Sequence, residues 1–414
     1  MNILIINHYA GNPELGMEFR PYYFAREWVK KGHSVSIIGA SYSHIRRVNP
    51  IVKKDFQNEN ISGIDYYWIK TGKYDSNGIK RAITMFEFIS KLWVNAKKIV
   101  KDINPDVVIC SSTYPLDTYV GQKIKRLSAK NVLLVHEIHD MWPLSPIEIG
   151  GMSPNHPFIK IMQMAENSFC RNSDKIVSLL PAAKDYLIDH GMKGDKFEVV
   201  MNGVLLEDWK DSTELPEKIV EHFNMIKQSG KLNICFCGSI HKSYGLEPFI
   251  EAVLKTEGVY ATFIGPGLDK KELEDRTKEN RDKVRFFDPI PKTSIPKVFE
   301  YIDASYVGSL PYSLNRFGIC MNKLFDSMMG GKPILYAVDA PNNYIEEYDC
   351  GISVDVGDEG SIIDGINKLK NMEEKERLVM GNNGRKAALE NFNYKVLSEK
   401  FMHILTDNIY MEEN

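Results

Sequence analysis

Short runs of consecutive apolar, β-branched residues alternate with helical stretches along this chain, and the whole pattern occurs twice. In the first half the runs fall at 2–7, 34–38, 106–110, 132–136, 175–178 and 197–201, with helices expected near 19–31 and 80–101. Runs that are apolar on both faces suit parallel strands covered by helices, because each face then meets a layer of helix rather than water. The turn Asn202-Gly203 closes this first series. The second series has runs at 233–237, 261–264, 284–287, 304–310, 333–338 and 352–356, and a helix near 247–255. The chain therefore reads as α/β, with two Rossmann-like doubly wound domains facing a cleft. The first covers 1–204 and the second 205–390; a helix over 391–414 ends the chain. Ligands are expected where the carboxyl ends of the strands meet the cleft.

Composition narrows the class. With 414 residues, 43% of them hydrophobic and 26% charged, the chain is globular rather than disordered or fibrous, and each domain can build its own core. The six Cys are scattered without zinc-ligand spacing; Cys235 and Cys237 share one face of a strand and are expected to pack. The expected compartment is a reducing cytoplasm. No apolar run reaches the roughly 20 residues of a membrane span, and the first strand lacks the basic lead and cleavage site of a signal peptide. No nucleic-acid partner is expected. Charge is uneven: residues 1–204 hold 26 Lys and Arg against 20 Asp and Glu, and the remainder 26 against 35. A basic first half suits an anionic partner or membrane surface, and equally a chance imbalance of surface charge.

The segment Asn322-Lys323-Leu324-Phe325-Asp326-Ser327-Met328-Met329-Gly330-Gly331-Lys332-Pro333 reads as a short helix, a Gly-Gly stop and a Pro opening a buried strand. The amides and dipole at such a helix start favour an anion. Lys323 adds a cation there, and Asp326, one turn on, can hydrogen-bond hydroxyls; a diphosphate followed by a ribose fits that order. An ordinary αβ unit with a solvated Lys and Asp fits the same residues.

Other loops fall at strand ends. The first runs from Asn7 to Pro21 and holds Gly11, Gly16 and Arg20; it has no G-x-G-x-x-G, so no dinucleotide cofactor is implied. Val135-His136-Glu137-Ile138-His139-Asp140 puts two His and two acids at one strand end, with Glu137 and His139 on one face and His136 and Ile138 on the other. Its spacing is not the helical H-E-x-x-H, and no metal is expected. The second domain opens with a strand, Gly238, Ser239, Lys242, Tyr244 and Gly245, and a later strand ends in Gly265-Pro266-Gly267. The helix over 80–101 mixes Met85, Phe86, Phe88, Leu92 and Trp93 with six Lys and Arg; it suits an anionic bilayer surface, or a core helix with a solvated basic face.

Taken together these segments resemble glycosyltransferase family 4, in a variant similar to bacterial O-antigen and capsule enzymes such as L-fucosamine transferases. Asp326, Gly331 and Pro333 fall on the family's second acid, Gly and Pro, while Gly318 stands where its first Glu, the donor-sugar contact, belongs. Ser239 and Tyr244 likewise replace the family's Arg and Lys phosphate pair. The resemblance implies the GT-B fold, with the last helix crossing back to the first domain. It implies a retaining transfer, without cofactor, of a deoxy- or amino-hexosyl group from a nucleotide sugar, UDP favoured over GDP, to a lipid-linked saccharide in surface polysaccharide synthesis. It makes His139, Asp140 and Lys323 catalytic. Donor contacts are Gly16, Gly238, Ser239, Lys242, Gly265, Gly267, Arg316, Asn322 and Asp326, and acceptor contacts Gly11 and Arg20. It adds peripheral contact of 80–101 with the inner membrane. The alternatives are a nucleotide-sugar 2-epimerase, which shares the donor site, and a non-catalytic scaffold of a polysaccharide assembly complex.

Overall fold

The computed structural model describes residues 1–74 and 78–410. It divides into two compact units, residues 1–201 with 394–414, and residues 202–393. The division falls after Met201, where the sequence pattern placed it after 204.

The first unit is built on one eight-stranded sheet. Its strands are β1 Asn2–Ile6, β2 Ser34–Ala40, β3 Gln57–Ile61, β4 Ile64–Ile69, β5 Val107–Cys110, β6 Leu133–Ile138, β7 Lys175–Ser178 and β8 Phe197–Val199, in the order β3-β4-β2-β1-β5-β6-β7-β8. Only β3 is antiparallel, hairpinned to β4. The central strand β1 pairs with β2 and β5, Ile3 facing Val35 and Val107. Leu4, Ile6, Ile38 and Val108 then pack under Phe88, Leu92 and Ile99 from the overlying helices, which is why these strands are apolar on both faces. The strand order reverses at β1, so the loops after β1 and β5 flank a crevice at their carboxyl ends. The last helix, Tyr394–Tyr410, belongs to this unit: Trp28 Nε1 donates to the Ser398 carbonyl at 3.2 Å, and Phe401 packs edge-on against Phe24 and Trp28.

Two sequence expectations change here. The helix expected over 80–101 is two helices, Ile79–Val94 and Ala96–Ile103. Asn95 separates them, its side chain donating to the Lys91 carbonyl at 2.9 Å in competition with the helix ladder. The β3–β4 hairpin was not expected at all. Its outer strand reads Gln-Asn-Glu-Asn-Ile and is largely exposed, so it carries no apolar signal.

The second unit holds a six-stranded parallel sheet: β9 Leu232–Cys237, β10 Val259–Ile264, β11 Val284–Phe287, β12 Ala304–Gly308, β13 Ile334–Ala337 and β14 Gly351–Ser353, in the order β11-β10-β9-β12-β13-β14. One face packs Ile234, Phe236, Phe249 and Val253 into a core with Ile362, Ile366 and Leu369; the other packs Cys235, Tyr260 and Ile264 against Ile219, Phe223 and Ile226. Cys235 and Cys237 share that second face, their sulfurs 3.7 Å apart and both free. The order reverses at β9, which brings the loops after β9 and β12 together.

Candidate functional site

In the second unit the site is assembled from those two loops and the helix Asn322–Gly330. Strand β9 ends in Gly238, whose φ of 147° lies in the region that favours glycine. A Cβ on Gly265 would sit 1.9 Å from the Gly238 carbonyl oxygen, and one on Gly267 would sit 1.8 Å from that of Ile240. These glycines let the loops after β9 and β10 lie backbone against backbone. A side chain at Gly265 or Gly267, both expected as donor contacts, would collide with the neighbouring loop.

Gly238 opens instead onto Lys323. A Cβ there would meet Lys323 Cε and Nζ at 3.3 Å. Lys323 stands in the first turn of its helix, where the capping position, Met321, contributes no side-chain hydrogen bond and leaves the helix start to an outside acceptor. Its Nζ lies 3.1 Å from the centroid of the Tyr244 ring and 4.3 Å from that of Phe236. That Nζ is buried and has no hydrogen-bond partner among the described residues. Burial pulls the ammonium down to about 7, whereas the ring faces favour its charged form. The Tyr at 244, where a Lys was expected from the resemblance, is thus a platform carrying a cation supplied by the helix.

Asp326 lies one turn further on, half-buried, its carboxyl raised by burial against the opposing pull of Lys292. Asn322, Ser239, Lys242 and Arg316 are exposed. The Lys242 backbone N–H donates to Asp269 Oδ2 at 2.6 Å, which fixes the loop and leaves the side chain to solvent. Arg316 donates to the Ser313 carbonyl at 2.7 Å and lies over the Phe317 ring, along its own turn. Gly318 has φ 97°, and beyond it Ile319 exchanges two hydrogen bonds with the Asn342 side chain, at 2.9 and 2.8 Å. Asn342 therefore fixes the loop that leads into the helix.

In the first unit, β6 delivers Glu137 and His139 to the same side, as alternation requires. Glu137 accepts from Arg20 Nε at 3.0 Å and from Ser111 Oγ at 2.6 Å; His139 Nε2 lies 3.1 Å from Glu137 Oε2 and 2.9 Å from Ser111 Oγ. Burial alone would raise the Glu137 carboxyl, but Arg20, with His139 beside it, holds it well below the usual carboxylate range. Arg20 is 1% exposed and also donates to the carbonyls of Met201 and Val200. The acceptor contact expected of Arg20 is thus replaced by an internal ion pair that joins the first helix to β6. On the opposite face His136 stacks on Phe169 with centroids 3.8 Å apart, and burial pushes it down to about 3. Asp140 accepts from the Met141 amide and Ser145 Oγ, and so shapes the turn after His139.

Gly11 and Gly16 serve the first loop itself. A Cβ on Gly11 would lie 1.9 Å from the Gly16 carbonyl oxygen, and Gly16 has φ 105°. Arg46, buried over Trp68, holds the loop through the carbonyls of Ala10 and Ala40. Beside it, Arg81 Nε donates to Tyr9 Oη at 3.1 Å, and His44 Nδ1 lies 2.9 Å from Tyr74 Oη. Tyr9, His44 and Tyr74 follow β1, β2 and β4, so this aromatic and cationic group stands at carboxyl ends of the sheet.

Family models match most of the chain: one described as Glycosyltransferase Family 4 at residues 16–208, another described as Glycosyl transferases group 1 at residues 217–387. The chain belongs to these glycosyltransferases and has the GT-B fold. Solved structures share its fold along nearly the full length. Sucrose-phosphate synthase from Thermosynechococcus elongatus is 14% identical with a TM-score of 0.73, covering 99% of both chains. Anabaena Alr3699/HepE, in complex with UDP and glucose, is 15% identical with a TM-score of 0.65, covering 98% of this chain and 99% of its own. WaaG, a glycosyltransferase involved in lipopolysaccharide biosynthesis, is 14% identical with a TM-score of 0.64, covering 98% and 99%. No curated protein matches the sequence.

Within this transferase the sequence reading singled out Lys323, Gly238, Asp326 and His139. It missed Ser111, Asn342, Arg46 and the Tyr9–Arg81 group. Ser111 and Asn342 lie in short polar loops, and only their distant partners mark them.

Proposed function

We propose that the transferase moves a deoxy- or amino-hexosyl group, with retention, from a nucleotide sugar to a lipid-linked saccharide in the assembly of a bacterial surface polysaccharide such as O-antigen or capsule. One observation carries the donor half: the buried, unpartnered Lys323 Nζ at an uncapped helix start beside Gly238. A nucleoside diphosphate supplies what this group lacks, since its oxygens can accept from Nζ and from the helix amides together. Asp326, one turn along, accepts from a ribose hydroxyl. The HepE complex with UDP and glucose favours UDP as the carrier. As the glycosidic bond breaks, charge grows on the departing phosphate, and Lys323 with the helix start stabilises it. That phosphate takes the acceptor's proton on the face it leaves, which gives retention. In the first unit, His139 and Asp140 are the polar groups offered to sugar hydroxyls, and Tyr9, His44 and Arg81 replace Arg20 as acceptor contacts.

The lipid-linked acceptor and membrane contact rest on the helix Ile79–Val94. Its inner face buries Met85, Phe88 and Leu92. A second apolar row, Ile79, Ile83, Phe86 and Trp93, is exposed at helical spacing, with Lys80, Lys97 and Lys98 exposed nearby. That second row supports a bilayer contact, although Phe86 also meets Phe158 and Lys123 Nζ lies over Trp93. Among the described residues no helix is long and apolar enough to cross a membrane. WaaG, which shares the fold, is a glycosyltransferase involved in lipopolysaccharide biosynthesis.

The test is thermal denaturation with UDP, GDP, CDP and ADP, with and without magnesium. One nucleotide, UDP, is expected to raise the melting temperature selectively and indifferently to metal, by several degrees at about a hundredfold excess over Kd. Lys323→Gln should abolish the shift. Equal shifts with all four nucleotides would leave a diphosphate site and remove the preference for UDP; no shift with any would remove the donor assignment and favour a scaffold.

A further inference from the structure

Ser111, Glu137 and His139 form a triangle of hydrogen bonds at the carboxyl ends of β5 and β6. Ser111 Oγ lies 2.6 Å from Glu137 Oε2, and His139 Nε2 lies 3.1 Å from that oxygen and 2.9 Å from Ser111 Oγ. Glu137 brings no proton to the triangle. Burial pushes its carboxyl up, but the Arg20 guanidinium, with Nε 3.0 Å from Oε1, holds it ionised at neutral pH, so its oxygens only accept. Ser111 brings one proton, which is given to the carboxylate. The Ser111 oxygen also accepts from the Asn7 amide at 3.2 Å, so toward His139 it too can only accept. The remaining proton must therefore sit on His139 Nε2, which donates to both neighbours.

The other tautomer would set the Nε2 lone pair against two acceptor oxygens. Ser111 and Glu137 are both buried, and in such surroundings that repulsion is costly. Nδ1 is the nitrogen left over. It has no hydrogen-bond partner among the described residues and is not one of the enclosed groups; the side chain is 12% exposed. The neutral ring thus turns its N–H inward and its lone pair outward.

We propose that Glu137 and Ser111 are positioning residues for His139: they lock its imidazole as the Nε2–H tautomer, so that Nδ1 presents a lone pair to the sugar and reads a hydroxyl or amino hydrogen on it. Arg20 is the anchor that keeps Glu137 an acceptor. This rests on the reading that His139 faces the sugar. A lone pair there also suits the positive charge that grows on a sugar ring as its glycosidic bond breaks, whereas an N–H would oppose it.

Long-range nitrogen–proton correlation spectra of the isotope-labelled full-length protein read the tautomer directly, the His139 signals being those missing from His139→Ala. At a pH where the ring is neutral, Nε2 should resonate as the protonated nitrogen and Nδ1 as the bare one. In Glu137→Gln, Arg20 claims the amide oxygen and the NH2 group turns to His139; Nε2 must then accept, and the proton should move to Nδ1. That variant should keep UDP affinity within about twofold and lose kcat, read as slow hydrolysis of the nucleotide sugar, by about 10² or more. Ser111→Ala keeps the carboxylate and removes one of two acceptors, so it should keep the tautomer and UDP affinity and lower kcat by about tenfold. If Glu137→Gln does not fold, the parent spectrum and Ser111→Ala decide alone. The proposal is overturned if His139 of the parent carries its proton on Nδ1, or if the folded variants turn over like the parent. If the tautomer is as expected but His139→Ala turns over like the parent, the failure lies in the sugar-facing reading, and the positioning role falls with it.

Discussion

Lys323 and Arg20 show how burial decides what a cation does. Both precede or open a helix, and both were read from sequence as anion contacts. Arg20 found its anion inside the chain, at Glu137, 117 positions along the sequence, which no local pattern could reveal. Removing it leaves a buried carboxylate without its main partner. Arg20→Met is expected to lower stability by about 3–5 kcal/mol in urea denaturation at pH 7. A change within the error of the parent would show that the pair contributes nothing. Glu137→Gln in the Arg20→Met background should recover part of the loss. Lys323, by contrast, has rings for neighbours and no acceptor. Its pKa lies near 7 against an ordinary 10.5. The sign follows. Below about 7 the ammonium is charged in both folded and unfolded chains, and its burial penalty is fully felt. Between about 7 and 10.5 the folded chain sheds the proton first, so this group's contribution to stability improves with rising pH. A diphosphate needs the charged form, so binding above pH 7 must take up a proton. UDP affinity should fall by up to about tenfold per pH unit across pH 7.5–9.5, and the slope should be absent in Lys323→Gln. Titration calorimetry in buffers of different ionisation enthalpy reads that proton directly; no uptake at pH 8.5 would place the pKa, and the role, elsewhere.

Elements were legible where burial was two-sided. The runs at 175–178 and 284–287 are strands with those bounds, and the runs at 233–237 and 304–310 are strands shifted by no more than two residues at one end. Strands β9 and β12 are buried on both faces, and β11 is held by Val284 and Phe287 although Arg285 is exposed. The β3–β4 hairpin was invisible because its edge strand is polar, and the break at Asn95 because a single side-chain hydrogen bond outweighs a continuous helical period. The site followed the same rule. The helix Asn322–Gly330 was legible from its Gly331 stop, where φ is 68°. The platform of Tyr244 and Phe236 under Lys323 depends on how the loop after β9 folds back, and the sequence carries no sign of it. The helix Ile79–Val94 tests the second apolar face. Ile79 is 81% exposed and Ile83 58%, more than a surface helix needs for its own packing. The protein should co-sediment with vesicles containing anionic lipid, less so as salt is raised past the Debye regime. Ile83→Ser with Phe86→Ser should lower the bound fraction severalfold without changing the melting temperature. Equal binding to neutral and anionic vesicles, or none, would reduce the exposed row to an ordinary surface feature.

At the scale of the molecule, two sheets with separate cores give the transferase two places to be damaged, and the damage should differ in kind. The residues proposed to hold the nucleotide all lie in 202–393, and those offered to the sugars and acceptor lie in 1–201. Asp326→Ala removes a charged hydrogen-bond acceptor from the nucleotide. It should weaken UDP binding by roughly 10- to 100-fold and lower turnover at subsaturating donor to match. His139→Ala touches no nucleotide in this assignment. It should leave UDP affinity within about twofold and lower kcat by about 10² or more, the scale of losing one polar group aimed at developing charge. Turnover is readable before the acceptor is known, because a nucleotide-sugar transferase hydrolyses its donor slowly in water, and the anomeric configuration of the released sugar reports retention. A 2-epimerase would instead return an isomerised nucleotide sugar with the diphosphate bond intact, and a scaffold would return the donor unchanged. The decisive comparison is therefore the pair of variants on one donor. If affinity falls in Asp326→Ala alone and kcat falls in His139→Ala alone, binding and transfer are divided between the units. If both variants turn over like the parent, neither residue does the work assigned to it, and retaining transfer from a nucleotide sugar would no longer be supported by this site.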